Sequence, residues 1–404
     1  MILFSERITV APRRPVAIIL LGAIALAAIQ LVPLPPSVWT ALPGRAMFEQ
    51  AAVAAGEPQP WRPLSIVPGA TLNALFSLIV PLVTWLIVMR LRDQEKHRLP
   101  VLFLCLAIAS TLLGLLQLTG GGLDHPLVND TPGMVSGPFA NRNHFAVFLA
   151  CAILLIPSWA FAGKRRQRWR APAGLALVTL FLLMILATGS RAGAAIGLTA
   201  VILGVLATRE SILSDLRRHP RWISMALIVG AIATIGLFVV ISITTERAAS
   251  VDRALSASVG EDMRSLSLPV VTGIIKDYFP VGTGMGSFDP IFRVHEPFDL
   301  LRPTYFNHAH DDFLEIALDG GIAGILLLAA ALAWLGVAGF RAWRAPVASG
   351  EFALGRLGSA MLFLILVASV FDYPARTPLF MAAIMIAASW LDDPSGSALP
   401  SAAR

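Results

Sequence analysis

Apolar runs of about 17 to 25 residues recur along this 404-residue chain, the length a helix needs to cross about 30 Å of hydrocarbon. They fall near 16–33, 70–89, 99–118, 143–162, 171–188, 191–208, 222–243, 316–340, 357–371 and 377–391. Inside a bilayer no water is available to satisfy backbone N–H and C=O groups, so runs of this kind have to close their hydrogen bonds as helices. The expected fold is therefore an all-α polytopic membrane protein with about ten transmembrane helices. A chain that is 56% hydrophobic and 14% charged, with a mean hydropathy of +0.74, carries more apolar surface than a water-soluble core buries. The segments 171–188 and 191–208 are joined only by "TGSR", which reads either as a tight hairpin or as one broken helix. The first run follows Arg13 and Arg14 like a signal peptide, but it lacks a clear small-residue cleavage site and reads as a retained anchor.

Basic residues orient the spans. Segments 1–15, 90–98, 163–170, 209–221, 341–356 and the C-terminal tail together hold 20 of the 31 Lys and Arg residues, so that side is cytoplasmic and both termini lie there. The organisation expected is seven helices over 1–243 with external loops 34–69 and 119–142, a large external loop over 244–312, and three helices over 313–404. The net charge of +6 reflects this topology and gives no reason to expect nucleic acid as a partner. Cys105 and Cys151 both fall inside apolar spans and make neither a disulfide framework nor a metal quartet. The Pro-rich first external loop predicts a short interfacial helix around 44–55.

Five histidines (His125, His144, His295, His308 and His310) and all three tyrosines (Tyr278, Tyr305 and Tyr373) fall on the external side or at its membrane boundary. Histidine moves protons near neutral pH, so the asymmetry points to chemistry on that face. ATP and nucleotide sugars are cytoplasmic, and a substrate used outside must arrive already activated. A lipid-carried donor fits.

Arg191 sits at the external mouth of a span, where it reads either as an arginine snorkelling to the headgroups or as an anion site. Guanidinium offers a planar fork of donors to phosphate, and Ser190 can cap the following helix and aim its amides at the same anion. Arg264 precedes a segment apolar enough to lie on the bilayer, which sets it apart from Arg247, Arg253, Arg293 and Arg302 of the same loop, each readable as a solvated surface charge. In "GPFANRNHFAVF", Arg142 and His144 serve either as part of a helix start or as substrate contacts. "VGTGMGSF" lacks the spacing and the βαβ context of a nucleotide loop and reads as a turn. "NHAHDDFLEIALDGG" supports three readings: a helix start capped by Asn307 with Asp311, Asp312 and Glu315 in its first turns; a metal site from His308, His310, Asp311 and Asp312; or a catalytic histidine oriented by a neighbouring carboxylate.

These motifs together, "QLVPLPPSVW", "WRPLSIVPGAT", "GPFANRNHFA", "TGSRAG", the Arg264 segment with "KDYFPVGTGMGSF", and "HAHDDFLEIALDGGIAGILL", resemble the O-antigen ligase and polymerase superfamily over residues 30–340. The resemblance implies a GT-C-type glycosyltransferase of the bacterial inner membrane with a periplasmic active site. Its donor would be an undecaprenyl-pyrophosphate-linked glycan, its acceptor a glycan or the lipid A core, and its transfer inverting and metal-independent, with no cofactor. The family's two pyrophosphate-binding arginines correspond to Arg191 and Arg264, and its required histidine to His310, which would take or organise the acceptor's proton. His308, Asp311, Ser190, Arg142 and His144 would contact substrate. This sequence carries Asp311 where the family commonly has asparagine. Ligase and polymerase remain alternatives, and a transporter with a polar central path is the reading from another class.

Overall fold

The computed structural model describes residues 14–119, 135–161, 167, 169–217, 221–255, 263–301, 306–347 and 353–392. The chain ends, most of the basic loop 163–170, His125, Arg302, Tyr305 and the side chains of Arg247 and Arg253 lie outside the described residues. The first half comprises α1 (Arg14–Ile29), α2 (Pro36–Trp39), α3 (Ala46–Ala54), α4 (Pro68–Ser77), α5 (Ile79–Arg90), α6 (Asp93–Lys96), α7 (Leu99–Leu118) and α8 (Arg142–Phe161). The second comprises α9 (Arg170–Ala187), α10 (Arg191–Ala207), α11 (Arg209–Leu216), α12 (Arg221–Leu255), α13 (Met263–Tyr278), α14 (Phe288–His295), α15 (Asp312–Arg344), α16 (Leu354–Ser369) and α17 (Pro378–Leu391). Two short strands, β1 (Pro33–Leu34) and β2 (Arg62–Pro63), pair antiparallel between α1 and α4.

The chain is all-α and polytopic. Among the described residues, six stretches are long and apolar enough to cross a membrane: Pro68–Arg90, Gln94–Leu118, α8, α9, Met225–Thr244 within α12, and α15. A seventh exists only if α10 and α11, bent by 69° at Thr208, count as one span. All ten expected segments are helical, but length and apolarity support six or seven crossings. The shortfall is in α1, α16 and α17, which have 16, 16 and 14 residues. At 1.5 Å per residue such helices reach only about 21 to 24 Å. Residues 171–208 form the hairpin of the two readings: α9 and α10 are separate helices that pack on each other, and the sharp bend comes later. α12 continues as helix to Leu255, beyond the expected end of its span at 243.

α8 is the centre of the bundle. It is apolar on every side, and 78% of its span is buried against α7, α9, α10 and α16, which is what an all-round hydrophobic helix requires. Its first turn therefore cannot drift, and that turn carries functional candidates.

A second core joins α13 and α14 through Val271, Ile274, Tyr278, Phe288, Ile291 and Phe292. Arg45, at the start of α3, is fully buried between the rings of Trp39 and Tyr278 at 5.2 and 5.8 Å, and donates to the Leu64 carbonyl at 2.8 Å. Burial pushes its guanidinium down to about 10, and that of the Tyr278 phenol up.

The two cores meet where α15 breaks at Gly321 (φ 55°, ψ −144°). The carbonyls of Leu318 and Asp319 accept from Thr283 N and Gly284 N, each at 3.0 Å, and Ile322 N donates to Pro280 O at 2.9 Å. Gln30, at the end of α1, donates to Asp319 O at 2.9 Å and accepts from Met285 N at 2.8 Å. The glycine-rich turn 282–286 thus splints the broken helix and satisfies carbonyls that the break would otherwise orphan. Gly282 has φ 82°, and a Cβ there would lie 2.7 Å from Gly321 N and 2.8 Å from the Asp319 oxygen. Gly56 has a comparable φ of 69° but nothing within 4 Å of a built Cβ. Gly282→Ala should therefore cost about 2–4 kcal/mol and Gly56→Ala about 1 kcal/mol. Thermal unfolding in detergent checks this, and equal losses at the two positions would refute the splint.

Candidate functional site

The connection between α16 and α17, "FDYPARTP", turns back at the same end of the bundle as the start of α8 and the start of α15. Its Asp372 is 3% exposed. A buried carboxylate is tolerated only when hydrogen-bonded and paired, and this one is. Asn143 Nδ2 donates to Oδ2 at 2.7 Å, Asn141 Nδ2 to the same oxygen at 3.0 Å, and the backbone N–H of Tyr373 to Oδ1 at 3.0 Å. His310 Nδ1 lies 3.2 Å from Oδ1. His144 Nε2 is 3.7 Å from Oδ1, outside hydrogen-bond range but within reach of its charge. Burial pushes the Asp372 carboxyl up, but His144 and His310 outweigh it and hold the group well below the usual carboxylate range.

Arg264, in the first turn of α13, completes the cluster. Its Nη2 stands 3.3 Å from His310 Nδ1 and 4.0 Å from Asp372 Oδ2. One proton decides the arrangement: a protonated Nδ1 donates to Asp372, and an unprotonated Nδ1 accepts from Arg264. His310 occupies the left-handed region (φ 51°), a backbone conformation uncommon outside glycine and of a kind that gathers at functional sites.

Beside this cluster lies a second one. His308 Nδ1 is 2.9 Å from Glu315 Oε1, and Ala309 N donates to Glu315 Oε2 at 3.1 Å. Arg376 donates from Nε to Asp312 Oδ1 at 3.0 Å, and its Nη1 lies 3.1 Å from Glu315 Oε1 and 3.6 Å from Asp319 Oδ2. Burial would push the Arg376 guanidinium down, but Glu315, Asp319 and Asp312 push it up, so it stays charged. The Tyr373 ring stands between the clusters, 4.1 Å from the His308 ring and 5.1 Å from those of His310 and His144.

The remaining candidates divide between two places. Ser190 is the N-cap of α10 and accepts from Gly193 N at 3.0 Å. Arg191 is the first residue of that helix and lines a cavity of about 210 Å³ with Ala194, Ala195, Leu198, Phe238, Val239, Ser242 and Ile243. Arg142 Nη1 reaches the Thr188 carbonyl in the same turn at 3.4 Å, so the start of α8 touches the Arg191 turn through Arg142 and Asp372 through Asn143. Asp311 is committed elsewhere: its Oδ1 caps α15 by accepting from Phe313 N at 2.9 Å and Leu314 N at 3.0 Å. That cap was assigned to Asn307 in one reading of the sequence, but the Asn307 amide donates to the Tyr373 hydroxyl at 3.4 Å instead. Among the described residues no three His, Cys, Asp or Glu side chains are grouped to hold a metal ion.

Sequence reasoning missed Asp372, Arg376 and Asn141. Asp372 and Arg376 carry opposite charges in the short connection between two apolar helices, where a buried charge is costly unless paired. That signal was legible. The partners they choose, far away in the chain, were not.

Residues 175–329 match the family described as O-antigen ligase, which covers α9 to the first half of α15 and contains Arg191, Arg264, His308 and His310. None of the curated proteins matches the chain significantly.

Because its folded-state pKa is depressed, Asp372 stabilises the protein fully above the unfolded carboxylate pKa of about 3.9, and this is lost as pH falls through the lower folded value. Asp372→Asn should remove that component, so thermal unfolding followed from pH 7 to pH 3 should fall less steeply for the variant. Identical slopes would show that the carboxylate is not charged in the fold.

Proposed function

We propose that this chain, a multi-pass membrane protein of the O-antigen ligase superfamily, transfers a glycan from an undecaprenyl-pyrophosphate carrier to an acceptor hydroxyl on the periplasmic face of the bacterial inner membrane. The observation that carries the reading is the convergence of Arg264 and His310, from two elements 46 residues apart, on the buried Asp372. A cation, an imidazole and a carboxylate at the rim of a lipid-facing bundle suit an amphiphilic, anionic donor.

Transfer requires the bond between the anomeric carbon and the pyrophosphate oxygen to break while the acceptor oxygen bonds to that carbon from the opposite face. Charge develops on the departing pyrophosphate. Arg264 and Arg191 meet that charge with guanidinium donors, Arg191 aided by the amides of the α10 start that Ser190 caps. Arg142 braces the Arg191 turn, and His144 and Asp372 hold the reacting end of the site. His310, fixed between Asp372 and Arg264, acts at the reacting centre. No step in this scheme needs a metal or a cofactor, since the arginines neutralise the leaving group. The acceptor is lipid A core for a ligase and a second lipid-linked repeat for a polymerase; we favour the ligase.

Arg191→Ala and Arg264→Ala should each lower transfer by at least about 10²-fold, the scale for losing one charge-stabilising donor, while membrane insertion is kept. Electrophoresis of lipopolysaccharide and of carrier-linked glycan from cells bearing each variant reads the result. Unsubstituted core with long polymer retained on the carrier identifies a ligase, and single repeats in place of chains identify a polymerase. Unchanged glycans in both variants would refute the assignment.

A further inference from the structure

His308 is the better-formed of the two histidine–carboxylate pairs. Its Nδ1 faces one oxygen of Glu315 at 2.9 Å, and that carboxylate is completely buried and fixed at its other oxygen by Ala309 N. The Nδ1 proton is thereby placed on the Glu315 side, which leaves Nε2 with its lone pair outward. The ring remains reachable, with 29% of the side chain exposed. His310 differs: its Nδ1 is contested by Asp372 and by the Arg264 guanidinium, a cation suited to the anionic donor. Both rings lie against Tyr373, so one bound pair of substrates can meet both.

The groups facing His308 hold its ring in place. Arg376, which packs against α15 from the α16–α17 connection, has its Nη1 3.1 Å from the same Glu315 Oε1 and shares that negative charge, while its Nε donates to Asp312 and the Asp319 carboxylate lies 3.6 Å from Nη1. Tyr373 faces the ring as a neutral plane.

We propose that His308 accepts the proton of the acceptor hydroxyl and that His310 works on the donor side beside Arg264, an assignment that rests on the glycosyl-transfer reading above. The acceptor O–H breaks with its proton going to His308 Nε2, and the oxygen's electron pair forms the new bond to the anomeric carbon. The carbon–oxygen bond to pyrophosphate breaks, and its electron pair leaves with the pyrophosphate next to Arg264 and His310. Glu315 is a positioning residue that fixes the His308 tautomer.

Initial rates measured from pH 5.5 to 9 test this, using the full-length protein in phospholipid vesicles with undecaprenyl-pyrophosphate-linked O-antigen as donor and rough lipopolysaccharide as acceptor. His308→Gln should lower kcat about 10²-fold or more, leave the donor KM within about twofold, and erase the rise of kcat with pH that a neutral base produces. His310→Gln should raise the donor KM and keep that rise. Free imidazole should restore part of the rate to His308→Ala, a rescue that a misfolded variant would not show. The proposal is overturned if His308→Gln retains the wild-type kcat and pH profile, if His310→Gln alone erases the rise, or if imidazole restores His310→Ala and not His308→Ala. No transfer by the correctly inserted wild-type protein would instead overturn the parent reading.

Discussion

Asp372 keeps its charge in a place almost sealed from solvent, and separate segments of the bundle meet there to supply what that charge needs. A lone carboxylate moved out of water is so costly that it protonates or finds donors. Here the donors come from residues far away in sequence: two asparagines at the start of α8 and a histidine just before α15. Each of those segments is fixed by something else first. α8 is the buried centre of the bundle, and α15 is capped by Asp311 and splinted at its break by the glycine turn. The charge therefore does not build the fold. It closes a fold whose parts have been brought within reach.

Arg376 performs the complementary task from the connection between α16 and α17. Asp312, Glu315 and Asp319 follow one face of the first two turns of α15, and Arg376 lies against all three. One guanidinium faces three carboxylates, and His308 and the amides of Gly286 and Ala309 supply further hydrogen-bond partners to them. Asp372 and Arg376 belong to one five-residue stretch, "DYPAR". A single short turn thus ties both histidines to the bundle, one through a carboxylate and the other through a guanidinium.

Much of this was legible in the sequence where the signal is local. Apolar run lengths mark all ten helical segments, and the Ser190 cap and the α3 helix follow from nearby residues. Crossing number was less legible, because 14 to 16 apolar residues are enough for a helix in a bundle and not for a full bilayer. The role of Asp311 was obscured by its neighbours: Asp311 and Asp312 look alike in "HAHDDFLE", yet the first turns to its own helix's amides and the second faces Arg376. The acids beside the histidines in sequence turn out not to be their partners. His310 pairs with Asp372, 62 residues on, and His308 with Glu315, in the first turn of α15. Long-range pairing of this kind has no periodicity to betray it.

The way Arg264 is held bears on how an anionic donor would enter. Asp372 has its hydrogen-bond needs met by two asparagine amides, the Tyr373 N–H and His310, all within 3.2 Å. Arg264 stands at 4.0 Å with nearly half of its side chain exposed, a geometry in which an ion pair contributes little. A pyrophosphate arriving at the rim could therefore recruit Arg264 without leaving Asp372 unsatisfied. Withdrawing the guanidinium would also settle the competition at His310 Nδ1, which would then donate to Asp372 alone and present Nε2 to the site. In this arrangement donor binding and the orientation of His310 are one event, because both draw on the same nitrogen of Arg264.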